Sequence, residues 1–275
     1  MKVSNLTFFN AVKIVIQENK KNWRTTMRLA IFESKAQHKG TVLGFLWSFI
    51  HPATQIFVFW LVFSIGLRGG GPIHGFPFLV WLMVGMMPWL FISSLLSGTS
   101  QCFRKSKSLI SSMSMPLAII PVQSVLVQLI THFWTMLVLS ALLVIYGIRF
   151  NFTVIFLLYY AFATVAFFIG YAFVTSTISV LFLDFNKFLS SVIRLIFFIS
   201  PIAWSFENLS PQQAQILRLN PITYIIEGYR HSMLYGNTPM AHWRFGIYFW
   251  VLTLVMFLLG CWMHCRLRRK FMDLL

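Results

Sequence analysis

Charged residues are scarce in this sequence, and acidic residues are the scarcest of them. Only 10% of the 275 residues are charged, and only six are Asp or Glu. A soluble domain of this size carries about 25% charged residues, so the composition excludes an ordinary soluble fold. Hydrophobic residues make up 58% of the chain and the mean hydropathy is +0.76, which predicts an integral membrane protein.

The residues that most enzymes use for catalysis are also thinly spread. The six carboxylates are scattered along the chain: Glu18, Glu33, Asp184, Glu207, Glu227 and Asp273. No two of them form an obvious acid–base couple. His51, His132 and His264 each stand alone, and packing explains such histidines better than catalysis does. A membrane-embedded glycosyl- or acyltransferase, which remains the alternative class, would need a constellation that this sequence does not offer.

Two further kinds of site are missing from the sequence. There is no G-x-x-x-x-G-K-[ST] phosphate loop, and the glycines of residues 68–75 have no following lysine. We therefore expect this chain alone to hydrolyse no ATP and to hold no cofactor. The three cysteines, Cys102, Cys261 and Cys265, form no disulfide framework and have too few neighbouring ligands for a metal site.

Long apolar runs are abundant, and six of them are long enough to cross a bilayer as helices. They lie at approximately 43–66, 77–99, 118–147, 152–183, 187–206 and 244–265. Helices are the only credible form, because lipid cannot satisfy the polar groups of an open backbone. The predicted fold class is therefore all-α integral membrane. A transmembrane domain at 41–265 lies between an N-terminal region at 1–40 and a tail at 266–275.

The basic residues predict the orientation of these spans. The net charge is +16, which in a soluble protein would suggest nucleic acid as a partner. Here sixteen of the 22 Lys and Arg fall before the first span, in the two loops after spans two and four, or in the tail. Because cytoplasmic loops collect Lys and Arg, both termini are predicted to be cytoplasmic. The chain is predicted to lie in the cell membrane and to have no nucleic acid partner.

Residues 7–21, TFFNAVKIVIQENKK, have a broad apolar face and an opposite face that carries lysines. This pattern predicts an amphipathic helix that lies in the cytoplasmic interface of the membrane. A soluble helix packed on a partner is the alternative.

The loop at 101–116, QCFRKSKSLISSMSMP, combines basic and hydroxyl residues with a small apolar face formed by Leu109, Ile110 and Met113. A docking partner would cover that face. A plain solvated loop is the alternative.

Residues 217–234, LRLNPITYIIEGYRHSML, lie between two apolar runs and are too polar to cross a membrane comfortably. Pro221 is suited to the first turn of a short helix. Glu227 and Arg230 are three residues apart, so they can pair on one helical face. We expect this pair to be structural rather than a substrate contact, because an ion pair inside a membrane must first neutralise itself.

Four segments together resemble the permease subunits of ABC-2 type polysaccharide exporters. They are KGTVLGFLWSFIHPATQ (39–55), KSKSLISSMSMPLAIIP (105–121), SPIAWSFENLSP (200–211) and LNPITYIIEGYRHSMLYG (219–236). Within that family, three segments are most similar to the teichoic acid translocation permeases: FVFWLVFSIGLRGG (57–70), FPFLVWLMVG (76–85) and EGYRHSMLYG (227–236). Capsule and O-antigen permeases share the same skeleton.

The resemblance implies a function. Two copies of the chain would form a pathway at a two-fold interface, above two copies of a separate ABC ATPase subunit that binds ATP and Mg²⁺. The substrate would be a lipid-linked polymer, with wall teichoic acid first and O-antigen or capsular polysaccharide as the alternative. A drug exporter of the same architecture is a further alternative, which the short loop at 67–76 argues against.

The resemblance also implies roles for particular segments. The loop after span two would be the coupling helix that docks on the ATPase, with contacts from Arg104, Lys105, Lys107, Leu109, Ile110 and Met113. The segment at 217–234 would be re-entrant, dipping into the outer leaflet and returning.

Aromatic side chains suit a sliding sugar chain, and five residues are candidates for lining the pathway: Tyr159, Tyr160, Tyr171, Trp204 and Arg194. Helix packing is the alternative for the aromatic residues, and snorkelling to the surface is the alternative for Arg194.

Overall fold

The computed structural model describes residues 7–37, 39–67, 71–112, 115–206 and 209–274. The regular secondary structure of this part of the chain is helical, and one isolated bridge joins Ile73 and Phe76. The α-helices are α1 (Phe8–Lys21), α2 (Trp23–Ala36), α3 (Trp47–Leu61), α4 (Phe78–Ser100), α5 (Cys102–Lys105), α6 (Lys107–Ser112), α7 (Ile119–Ile145), α8 (Phe156–Leu181), α9 (Phe185–Ile199), α10 (Pro211–Leu217), α11 (Pro221–Arg230) and α12 (Trp243–Leu274).

Five helical stretches in the described residues are long and apolar enough to cross a membrane. They are Trp47–Ser64, Phe78–Ser100, Ile119–Ile145, Phe152–Leu181 and Trp243–Arg268. These stretches coincide with the first four predicted runs and with the sixth. The fifth run, 187–206, overlaps α9, which has 15 residues and is therefore about 22 Å long. That length falls short of the hydrocarbon core of about 30 Å. A membrane span at 187–206, which would bring the total to six, therefore stays a prediction.

Helices α4, α7, α8 and α12 form the centre of the bundle. Two of them, α8 and α12, touch backbone to backbone at Gly170 and Gly260. A Cβ atom at Gly260 would lie 2.7 Å from the carbonyl oxygen of Gly170. Small residues at such a crossing let membrane helices approach closely, and van der Waals packing then holds them together.

The N-terminal helix α1 lies against the last part of α12. The rings of Phe8 and Trp262 stack with centroids 5.4 Å apart, and Arg268 donates to Glu18 at 2.8 Å. The two terminal regions therefore meet at one end of the bundle. Helix α2, which the sequence pattern did not reveal, follows α1 directly and packs on α7.

Helix α9 starts at the same end of the bundle as the C-termini of α4 and α8. The Asn186 side chain hydrogen-bonds to Ser100 at 2.9 Å and to Ser179 at 2.7 Å. After α9 the chain is irregular over 200–205, and α10 and α11 then follow. Asn220 donates to the Ser200 hydroxyl at 2.9 Å, which brings the start of α11 to the end of α9.

Candidate functional site

A cavity of about 550 Å³ opens between the end of α2 and helices α3, α4 and α7. Most of its lining surface is apolar, with several amide and hydroxyl groups among the apolar side chains and no Asp, Glu, Lys or Arg. The lining residues are Gln37, Thr41, Trp47, Ser48, His51, Pro52, Gln55, Met87, Leu90, Phe91, Ser94, Gln128, Thr131, His132 and Thr135. Such a surface suits a neutral ligand that is rich in hydroxyl groups, because amides and hydroxyls both donate and accept hydrogen bonds.

Flat rings contribute to the same cavity. Trp47 stacks on His51 with centroids 5.0 Å apart, and Phe91 stacks on His132 at 4.2 Å with the rings only 6° from parallel. Nε2 of His132 lies 2.9 Å from the hydroxyl of Tyr229 in α11. The cavity wall is thus connected by one hydrogen bond to the polar segment after α9.

Helices α3 and α9 expose polar residues as far as Gln55 and Arg194, respectively, and apolar residues after them. His51, Thr54 and Gln55 are exposed on α3, as are Lys187 and Arg194 on α9. The two helices touch through Phe59 and Phe197, whose ring centroids are 4.9 Å apart. Polar side chains on a helix that crosses a membrane are disfavoured against lipid and favoured against protein or water.

The segment after α9 is held in place by one buried arginine. Arg230 has no exposed surface, and it donates to the carbonyl oxygens of Pro201 and Ile202, the latter at 2.6 Å. It also pairs with Glu227 at 3.0 Å. A Cβ atom at Gly85 would overlap its guanidinium. Arg230 therefore ties α11 both to α4 and to the irregular turn that ends α9.

Tyrosines complete this attachment on the other side of α11. Tyr159 and Tyr224 are joined by a hydrogen bond of 3.0 Å between their hydroxyls, and Trp250 donates to Tyr159 at 2.9 Å. A Cβ atom at Gly228 would overlap the ring of Tyr160, so only glycine allows α11 to lie this close to α8.

None of the five predicted lining residues lines the cavity described above. Tyr159 and Tyr160 face α11, and the buried hydroxyl of Tyr171 lies 3.3 Å from the carbonyl oxygen of Leu96. Trp204 donates to the Phe198 carbonyl at 3.1 Å, and Arg194 donates to Ser191 at 3.1 Å on the exposed face of α9.

The basic loop after α4 folds into the two short helices α5 and α6. Arg104 donates to the carbonyl oxygen of Ser179 at the end of α8. Lys105 and Lys107 are exposed, whereas Leu109 and Ile110 are half-buried. Met113 lies outside the described residues.

Phe103 anchors this loop to the last helix, and sequence reasoning missed it. Its ring is 1% exposed and packs on His264 at 5.8 Å and on Phe271 at 4.9 Å. The signal available in the sequence was an aromatic residue within a basic loop. His264 is fully buried in this cluster, and neither of its ring nitrogens has a hydrogen-bond partner within the described residues.

The described residues contain no group of three or more metal-ligating side chains that could hold an ion. The three cysteines are buried free thiols. Burial raises the pKa of the Cys102 thiol to about 12, and a hydrogen bond to Ser176 partly opposes that rise.

Comparison with known proteins decides the family. The model of the ABC-2 type transporter family matches residues 26–234.

The chain belongs to the ABC-2 type transporter family.

The matched region of this ABC-2 chain begins within α2 and ends at residue 234, four residues after the end of α11. It therefore includes the cavity, the loop of α5 and α6, and Arg230 with its partners. Helix α1 and helix α12 lie outside it.

Curated relatives resemble most of the chain at low identity. The O-antigen export system permease protein RfbA of Myxococcus xanthus is 25% identical over 211 residues, which is 76% of this chain and 80% of that protein. A Klebsiella pneumoniae protein of the same name is 22% identical over 242 residues, which is 88% of this chain and 91% of that protein.

Proposed function

We propose that this chain is the permease subunit of an ATP-driven exporter that moves a lipid-linked cell-surface polysaccharide across the cell membrane. The observation that carries the proposal is the cavity of about 550 Å³, which offers aromatic rings together with amide and hydroxyl groups and has no Asp, Glu, Lys or Arg in its lining. A sugar ring packs its apolar face on an aromatic ring while its hydroxyls bond to amides and hydroxyls. Membership of the ABC-2 family supplies the transporter class.

O-antigen polysaccharide is the first candidate substrate. The relatives are named for O-antigen export, whereas the sequence resemblance alone put wall teichoic acid first. The cavity supports the same order, because a polyol phosphate chain is anionic and the lining offers no Lys or Arg to meet it. Teichoic acid remains the second candidate on the similarity of residues 57–70 and 76–85.

A homodimer accounts for the exposed polar face of α3 and α9. His51 and Gln55 belong both to that face and to the cavity lining, so a second copy docked there would enclose the cavity. A pathway between two copies would keep the polar residues of α3 and α9 away from lipid. Arg194 would then lie close to the pathway.

The six-span topology is part of the proposal. Helix α9 would begin at the cytoplasmic side, and the irregular turn at 200–205 with α10 and α11 would form the outer, re-entrant part. Arg230 and Glu227 would hold this unit together, as their ion pair of 3.0 Å and the carbonyl contacts of Arg230 support. Both termini, which meet at one end of the bundle, would be cytoplasmic.

In each permease chain, the loop of α5 and α6 would dock on one copy of a separate ABC ATPase subunit. The complex would therefore contain two ATPase subunits. Lys105 and Lys107 would face that subunit, while Leu109 and Ile110 would pack at the joint. Arg104 and Phe103 would carry the movement to α8 and α12, since they contact Ser179 and His264. ATP and Mg²⁺ would be bound by the partner subunit alone.

The test is to deplete the chain in its native cell and to analyse the surface and the lipid extract chemically. We expect the neutral polysaccharide to disappear from the surface and its lipid-linked form to accumulate inside. Filling the cavity with Gln55→Trp should have the same effect, whereas Gln212→Trp, on the exposed surface of α10, should not.

Two other results would count against the proposal. Accumulation of a polyol phosphate polymer would show that the exported substrate is teichoic acid and not O-antigen. An unchanged surface with no accumulated polymer would contradict polymer export altogether.

A further inference from the structure

A second groove, of about 470 Å³, runs beneath α1 on the outside of the bundle. It shares no lining residue with the first cavity. Val15 and Ile16 of α1 form its roof, and Val122, Phe173 and Phe257 form its walls. These walls are apolar, and they come from α7, α8 and α12.

The groove exists because of how the helices meet. Gly170 and Gly260 bring the backbones of α8 and α12 together, and neighbouring side chains such as Ile169 stand around that joint. Helix α1 is fastened across it at both ends. Phe8 stacks on Trp262, and Asn19 donates to the carbonyl oxygen of Ala118 at 3.2 Å.

On α8 the groove is lined by Ile169 and Phe173, and Ile169 lies about one leaflet's depth from the end of that helix. From Ile169 to the end of α8 at Leu181 there are 12 residues, which correspond to about 18 Å of helix. Half of a hydrocarbon core of about 30 Å is roughly 15 Å. An acyl chain that enters beneath α1 would therefore reach the level of Ile169.

The mouth of the groove is basic. Lys20 and Trp23 line it, and Lys21 and Arg24 follow them in the chain. No acidic residue occurs in the sequence between Asn19 and Phe32. The carboxylate of Glu18 is paired with Arg268 at 2.8 Å. Basic groups beside an interfacial tryptophan attract the phosphate of an anionic lipid.

We propose that this groove binds one anionic glycerophospholipid of the surrounding membrane. One acyl chain lies beneath α1, and the phosphate lies at Lys20. The bound lipid fills the space between α1 and the helices that carry it, and it holds α1 at the membrane surface. This site depends on residues outside the cavity, so it stands whether or not the chain exports a polysaccharide.

The test uses the full chain, purified in detergent and stripped of lipid. Phosphatidylglycerol and phosphatidylcholine with identical acyl chains are added in equal amounts, and native mass spectrometry counts the lipids that each chain retains. We expect one phosphatidylglycerol per chain, retained at least fivefold over phosphatidylcholine. Lys20→Gln should lower phosphatidylglycerol retention about fivefold, because one lysine near a membrane surface contributes about that factor.

Matched variants separate the site from general lipid binding. Lys13→Gln removes the same charge from the same helix but lies outside the groove, so it should leave retention unchanged. Ile169→Trp should fill the groove and lower the retention of both lipids. Lys20 is exposed, so the Lys20→Gln variant should keep the melting temperature of the wild type.

Several outcomes would overturn the proposal. Equal retention of the two lipids, or equal effects of Lys13→Gln and Lys20→Gln, would contradict the binding of an anionic headgroup at Lys20. Displacement of phosphatidylglycerol by a stoichiometric amount of polyprenyl phosphate would assign the groove to a substrate's lipid anchor. A loss of chain dimers in Ile169→Trp with unchanged lipid retention would assign it to a second copy.

Discussion

The guanidinium of Arg230 lies 3.4 Å from the centre of the Trp81 ring. The side chain of this arginine has no exposed surface, yet its charge is compensated from three directions. Glu227 supplies a carboxylate, the turn after α9 supplies two carbonyl oxygens, and Trp81 supplies a ring face. This arrangement joins α4, the end of α9 and α11 into one unit.

Gly85 makes room for that guanidinium. A Cβ atom there would overlap Arg230, so Gly85→Ala should displace the buried charge from its partners. We expect a loss of about 3 kcal/mol of stability, by analogy with breaking a buried ion pair. The measurement is the melting temperature of the purified chain. Gly98→Ala is the control, since it meets only the end of the flexible Gln128 side chain at 3.3 Å, and equal effects of the two variants would refute the steric argument.

Glu227→Gln should reduce folded yield more than transport per folded molecule. The ion pair of 3.0 Å neutralises the buried Arg230, and glutamine keeps the size of the side chain but not its charge. The measurement compares the amount of folded chain in the membrane with polymer export per chain. Normal yield together with lost export would instead make Glu227 a pathway residue.

Changing Leu109 and Ile110 together to Asp should abolish co-purification of the ATPase subunit. These two half-buried residues form the apolar part of α6, and charges there would disrupt the docking surface. The measurement is a mild-detergent purification with every retained protein identified. Ile216→Asp, which adds a charge at an exposed position of α10, should retain the ATPase, and retention by all variants would contradict the docking role.

Cys102 should report on the packing of the loop of α5 and α6. Burial raises the pKa of its thiol to about 12, and only the thiolate reacts with alkylating reagents. Alkylation near neutral pH should therefore be slow and should accelerate as the pH rises toward 12. Phe103→Ala should admit water, lower the pKa of Cys102 toward its ordinary value near 8.5, and speed alkylation at least tenfold.

The alkylation rate is measured in a chain in which Cys261 and Cys265 are replaced by Ala, so that only Cys102 can react. Phe152→Ala is the control, because Phe152 is exposed and belongs to the turn before α8. Fast alkylation of unaltered Cys102 at neutral pH would mean that the loop opens readily without the variant.

Composition and apolar run length alone determined the class of this protein and most of its spans. Five of the six predicted runs coincide with helices long enough to cross a membrane, because a bilayer demands about 20 consecutive apolar residues. A span at the fifth run stays a prediction, because α9 has only 15 residues and apolar composition does not reveal where a helix stops. Helix α9 ends at Ile199, and the next residue, Ser200, accepts a hydrogen bond from Asn220 at the start of α11.

Only the tertiary structure decided which residues meet. Glu227 and Arg230 are three apart, so helical geometry anticipates their contact. No local pattern connects Arg230 with Gly85 or His132 with Tyr229, since these contacts depend on how separate helices pack. The same reason explains the tyrosines: aromatic residues serve packing and ligand binding alike, and the sequence cannot separate these roles. The uncharged cavity likewise arises from several helices, each of which contributes only part of its lining.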